Sequence, residues 1–147
     1  MSTPEERAAT DIVIEKVIDF CANGSVHAKA YLGMFDYVAR TLDDLIDKDA
    51  PVTDEQIYRV FSILFGEIFY NPFFVKYAPG LVALQMASLN AFKTSTQLQR
   101  GGDATDKLYA HVMRDYLNEG LIHVAFLCGG YEHKEKASKM IYDAFKK

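Results

Sequence analysis

Tryptophan is absent from this chain of 147 residues, and cysteine and proline are scarce, with 2 and 4 copies. Cys21 and Cys128 lie far apart, with no CxxC or His-spaced partner. The pattern predicts two reduced thiols and offers no cysteine-based metal site. Apolar runs never approach the roughly 18–20 residues that a membrane span requires. The opening "MSTPEERAATD" is too acidic and polar for a signal peptide, so a cytoplasmic protein is expected. Positive charge is in deficit, 16 Lys and Arg against 20 Asp and Glu, a formal charge of −4. A nucleic-acid surface normally shows a basic stripe. Here the clustered lysines, in "HKEKASKM" and at Lys146-Lys147, are interleaved with acids or terminal, as on a solvated face. Gly-rich phosphate loops, nucleophile motifs and solenoid repeats are missing as well.

What is present is a full set of helix signals, on a chain long enough, at 50% apolar residues, to build one core. Thr3, Pro4 and Glu6 form a start signal, and Asn23-Gly24 a stop. Ser25 opens a second helix running to about Lys48. Pro51 interrupts the chain, and Thr53 with Gln56 makes a capping box for a third helix, expected to run as far as Asn71-Pro72. "NPFFVKYAPG" reads as a short aromatic connector packed on the core. Helix four is expected over about 81–99. Helix five starts at Asp103 and ends at Gly129-Gly130, and a last helix covers about 132–145. The fold class predicted is all-α: a single-domain bundle of about six helices, 1–147, with no β-sheet.

The second helix carries the puzzle. At 100° per residue, Tyr31, Met34, Phe35, Val38, Leu42 and Leu45 form an apolar stripe, and Asp36, Arg40, Asp43 and Asp47 a polar one with Asp44 at its flank. Four aspartates, 43, 44, 47 and 49, therefore crowd a helix C-terminus, where partial negative charge disfavours them by roughly 0.3–1 kcal/mol each. Two explanations stand. The acids are solvated, with Arg40 pairing Asp36 or Asp44 at i±4. Alternatively, Asp43 and Asp47, one turn apart, reach a common Mg²⁺, which takes one or two carboxylates and completes its octahedron with water and phosphate oxygens.

"DDLID", Asp43 to Asp47, near the end of a long helix in an all-α chain, resembles the aspartate-rich motif of the class I isoprenoid (terpenoid) synthases. The resemblance implies that Asp43 and Asp47 ligate Mg²⁺, that Asp44 supports them, and that the metal holds a substrate diphosphate. Members of that family carry a second metal motif on a later helix. "NAFKTSTQL" supplies Asn90 and Thr94 at the right spacing but Leu98 where an acid is required, and the chain is about half the family's length. The resemblance thus implies a small relative that binds a diphosphate-containing ligand, with or without catalysis.

Helix five supplies a second polar group. His111, Asp115 and Asn118 share a face, flanked by Arg114 and Glu119, with His123 four residues beyond Glu119. Facing helix two, this group would bring four carboxylates together, with Arg114 or Arg40 for a phosphate. As the wet side of an amphipathic helix, it would do nothing. His27 and His123 are expected in the core and His133 on the surface, and Glu67 is expected to pair with Arg59. The competing functional expectation is a non-enzymatic accessory or interaction protein, working through Tyr- and Phe-rich surfaces as a homodimer or on another partner.

Overall fold

The computed structural model describes residues 3–145; Lys146-Lys147, read above as solvated, lie outside them. The described residues form six α-helices, with one 3-10 turn and no strand: α1 Pro4–Ala22, α2 Val26–Asp47, α3 Asp54–Phe65, the turn Glu67–Tyr70, α4 Pro72–Gly101, α5 Ala104–Asp115 and α6 Asn118–Phe145. The all-α expectation holds. The Thr3, Ser25 and Thr53 hydroxyls accept the amides of Glu6, Ala28 and Gln56, and Asn23 closes α1 in the left-handed region. Local capping signals set these boundaries because each satisfies backbone groups that the helix leaves orphaned.

Four boundaries differ from expectation. The third helix stops at Phe65, and the 3-10 turn swings Ile68 into the core while Arg59 and Glu67 pair at 3.0 Å, as expected. "NPFFVKYAPG" is no connector. Asn71 caps α4 by accepting the Phe74 amide, Pro72 occupies its first turn, and Phe73 and Phe74 are buried, with a kink at Tyr77 ahead of Pro79. Pro79 cannot donate to the preceding turn, so a kinked helix absorbs it. The expected fifth helix breaks at Tyr116-Leu117, and the chain past Gly129-Gly130 continues in α6 through a kink. Gly130 has φ +84°, which an L side chain rarely adopts.

α6 lies along α1, and α5 folds back on α4 at Gly101-Gly102. A Cβ at Gly102 would sit 2.4 Å from the Leu98 carbonyl oxygen, so this tight turn requires glycine. α2 touches α1, α3, α4 and α6. Leu32, Ile63, Leu81 and Val124 lie at the centre, each worth about 1.5–3 kcal/mol of hydrophobic stabilisation. Because α2 has neighbours on several sides, its polar stripe is not a free surface, and that decides the fate of its aspartates. No described helix is long and apolar enough to cross a membrane. Both cysteines are free; burial pushes the Cys21 thiol up to about 12.

Candidate functional site

The aspartates at the end of α2 are met by arginines from two other helices, and a third arginine reaches the backbone there. Arg7 of α1 donates to both oxygens of Asp44, at 3.2 and 2.8 Å, and lies 3.9 Å from Asp49. Asp44 is only 6% exposed, so the residue placed at the flank of the polar stripe is its most buried acid. Arg114 of α5 reaches Asp47 at 2.5 Å and Asp43 at 3.4 Å. Its other nitrogens donate to the Ser95 and Thr96 hydroxyls at 3.1 and 3.4 Å, and its guanidinium stacks 4.4 Å over the Phe92 ring. Arg100 of α4 donates to the Ile46 carbonyl at 2.9 Å, satisfying an orphan acceptor of the last turn. Further up α2, Arg40 pairs with Asp11 of α1 and lies 3.9 Å from Asp36, rather than bonding Asp44.

Crowded acids at a helix end are thus offset by guanidinium groups, whose planar fork suits carboxylates held at fixed angles. The balance is incomplete at Asp43. Burial, and then the hydrogen bond and charge of Asp47, push its carboxyl up to about 6, against the opposing pull of Arg114. Folding therefore raises this pKa above the unfolded value of about 4. Over that window the native state binds the proton more tightly, so stability falls as pH rises from about 4 to about 6. Asp43→Asn is expected to melt above wild type at pH 7, with the difference shrinking as pH falls through about 6 and vanishing only below about pH 4. A difference that is constant with pH in paired melting curves would show that Asp43 is not the group responsible.

Other predicted site residues scatter. Asn118 joins Arg40, Asp43 and Arg114 around a cavity of ≈ 210 Å³. Asn90 is exposed, Thr94 is half-buried, and neither lines a cavity beside α2. His111, Asp115 and Glu119 are exposed, and Arg114 is the member of that group that bonds the aspartates of α2. The four-carboxylate convergence considered for a helix facing α2 does not form, because α5 ends at Asp115 and the turn at Tyr116-Leu117 redirects the chain; Asp115 and Glu119 take the alternative wet side. His27 is exposed and His123 half-buried. His133, expected on the surface, stacks on Phe20 at 4.4 Å with Nε2 2.8 Å from the Phe20 carbonyl oxygen.

Among the described residues, no three His, Cys, Asp or Glu side chains gather as a metal-holding group. Asp44 is turned to Arg7, and Arg114 stands where an ion bridging Asp43 and Asp47 would have to sit. This donor set fits guanidinium better than a resident Mg²⁺, and no chemical step is derived through a metal.

A larger cavity, ≈ 410 Å³, opens between α2, α3 and α4. Val38 and Leu42 of α2, Val60 and Phe61 of α3, and Met86 and Leu89 of α4 form much of its wall. The polar lining is confined to Thr41, Gln85 and Ser88, and none of the described lining residues is charged. Phe35, Ala39 and Leu117 separate it from the smaller cavity. Phe92 lines it too, and carries Arg114 on its ring. The apolar stripe of α2, from Met34 to Leu45, forms one wall. Sequence periodicity could not separate a lining stripe from a packed one. Tyr58 and Phe65 of α3, and Phe69 and Tyr70 of the turn after it, are exposed.

No family model, curated protein or solved structure matches this chain. The likeness to isoprenoid synthases stands on the motif residues alone.

Proposed function

We propose that this chain is a non-catalytic helical binding protein that takes a small apolar molecule into the cavity between α2, α3 and α4. The observation that carries the reading is a ≈ 410 Å³ cavity walled almost wholly by aliphatic and aromatic side chains, with a few neutral polar groups. That volume and that composition are typical of small-molecule sites, which run about 300–1,000 Å³. Catalysis is not part of the proposal, because no nucleophile–base pair lines this wall.

A neutral naphthylamine dye that fluoresces in apolar surroundings is expected to bind saturably, at one per chain. Val60→Trp, which pushes an indole into the cavity, is expected to weaken uptake at least tenfold while the helical circular dichroism stays unchanged. Absence of saturable uptake by wild type would rule the reading out.

A second reading keeps the aspartate motif functional: Mg²⁺ and a diphosphate bind together at Asp43 and Asp47. The raised pKa of Asp43 favours it, since charge left uncompensated by Arg114 would be relieved by a divalent cation. A ligand that binds only the native state stabilises it by about 2.7 kcal/mol at a hundredfold excess over Kd. Melting with Mg²⁺ plus inorganic diphosphate should then rise above melting with either alone, and Asp43→Asn/Asp47→Asn should abolish the rise. An unmoved wild-type curve removes this reading and leaves the cavity as the candidate.

A further inference from the structure

Ser88 is the anomaly of the large cavity. It is 1% exposed, it lines the cavity, and its hydroxyl has no hydrogen-bond partner among the described residues. Buried hydroxyls are rarely left so, because an unmade bond forfeits the whole cost of desolvation. A helical serine has an easy remedy: it turns back to a carbonyl three or four residues earlier. Two turns further along α4, Ser95 and Thr96 do this, both donating to the Phe92 carbonyl at 2.7 and 3.2 Å. Ser88, on the same helix, does not.

Its neighbours are polar but neutral. Gln85, one turn earlier on α4, accepts the Tyr31 hydroxyl hydrogen bond through Oε1 at 2.7 Å, which leaves the amide NH₂, with its two donors, as its other polar end. Thr41 lines the cavity from α2. The nearby guanidinium, Arg114, stacks on Phe92 and is engaged by Asp47. An anionic head lodged at Ser88 would therefore be buried with no countercharge from the lining, an arrangement of high cost. An uncharged hydroxyl or carbonyl would instead give Ser88 the partner it lacks.

The geometry points to a ligand that is an aliphatic chain bearing one uncharged hydroxyl or carbonyl group, with Ser88 as the residue that holds this group and Gln85 beside it. This inference rests on the cavity being a binding site, and it names the chemical class that the site selects.

The test is displacement of the neutral dye at pH 7 by 1-decanol, decane and decanoate, on wild type and Ser88→Ala. Alanine removes only the hydroxyl, so the fold is kept. Decanol is expected to bind at least tenfold more tightly than decanoate and more tightly than decane. Ser88→Ala is expected to weaken decanol about tenfold and leave decane unchanged.

Equal binding of all three, indifferent to Ser88→Ala, would overturn the head-group assignment while leaving the cavity a binding site. Decanoate binding tightest would overturn it as well, in favour of an anion site. Failure of the dye itself to bind would remove the underlying reading. A concentration-dependent dimer that shuts the dye out would assign the cavity to a second copy of the chain, and overturn both.

Discussion

Replacing Arg7 by alanine is expected to destabilise the protein by about 2–4 kcal/mol. Removing one partner of a buried ion pair typically costs about 3–5 kcal/mol, because the remaining charge keeps its desolvation penalty without compensation. The Asp44 end meets that condition, with a side chain 7% exposed, but the Arg7 side chain is 31% exposed. Water can enter the vacated space, so the expected loss lies below the ceiling. The loss should be specific to the pair. Asp44→Asn keeps the shape and removes the charge, so Arg7→Ala/Asp44→Asn should be much less destabilised than the two single changes added together. Urea unfolding of the four proteins measures this. A loss under about 0.5 kcal/mol for Arg7→Ala, the range of an ordinary surface substitution, would mean that α1 does not depend on this bridge.

Arg114 is expected to show the next largest effect, of a different kind. Beyond its packing on α4, α5 is tied to the end of α2 through the Arg114 side chain, which serves Asp47, Asp43, Ser95, Thr96 and the face of Phe92 together. Arg114→Ala is expected to cost about 2 kcal/mol, the scale of charge-assisted hydrogen bonds lost from a part-buried group. Hydrogen-exchange protection should fall sharply over 104–115, while α1 and α6 keep theirs. Lysine should restore little, since a single ammonium cannot span two carboxylates and two hydroxyls and also stack on a ring. Full rescue by Arg114→Lys, or loss of protection spread evenly over all helices, would show that the guanidinium does not hold this arm in place.

These expectations also bear on the aspartate motif. If Arg7 and Arg114 carry that much stability, the acids at the end of α2 are structural: their positions are fixed by arginines arriving from α1 and α5. The raised pKa of Asp43 marks a place where compensation falls short. Melting curves with Mg²⁺ and diphosphate decide whether that shortfall also serves a ligand.

Helix starts were legible because capping is local. Thr3, Ser25, Thr53 and Asp103 each accept an amide three residues on, and a reader of the sequence needs nothing beyond that window to find them. Interruptions were less legible. The ends of α3 and α5 lie where a 3-10 turn or a two-residue break lets Ile68 and Leu117 reach the interior, and this depends on what lies opposite. The Arg59–Glu67 pair was readable because the two lie only eight residues apart, close enough to meet even though Glu67 sits in the turn that follows α3. The Arg7–Asp44 pair was not, since 37 residues separate them.

The sequence by itself determined an all-α fold, most of its caps and an acidic end to α2, because helix periodicity and end chemistry are encoded over windows of a few residues. Only the tertiary structure decided which side chains answer that acidity and where space is left in the core. Surrounding α2 with α1, α3, α4 and α6, and folding α5 back along α4, brings arginines from distant positions to one helix end. The same packing leaves a cavity beside Ser88. Both outcomes are set by how helices meet, and no short stretch of the chain records that.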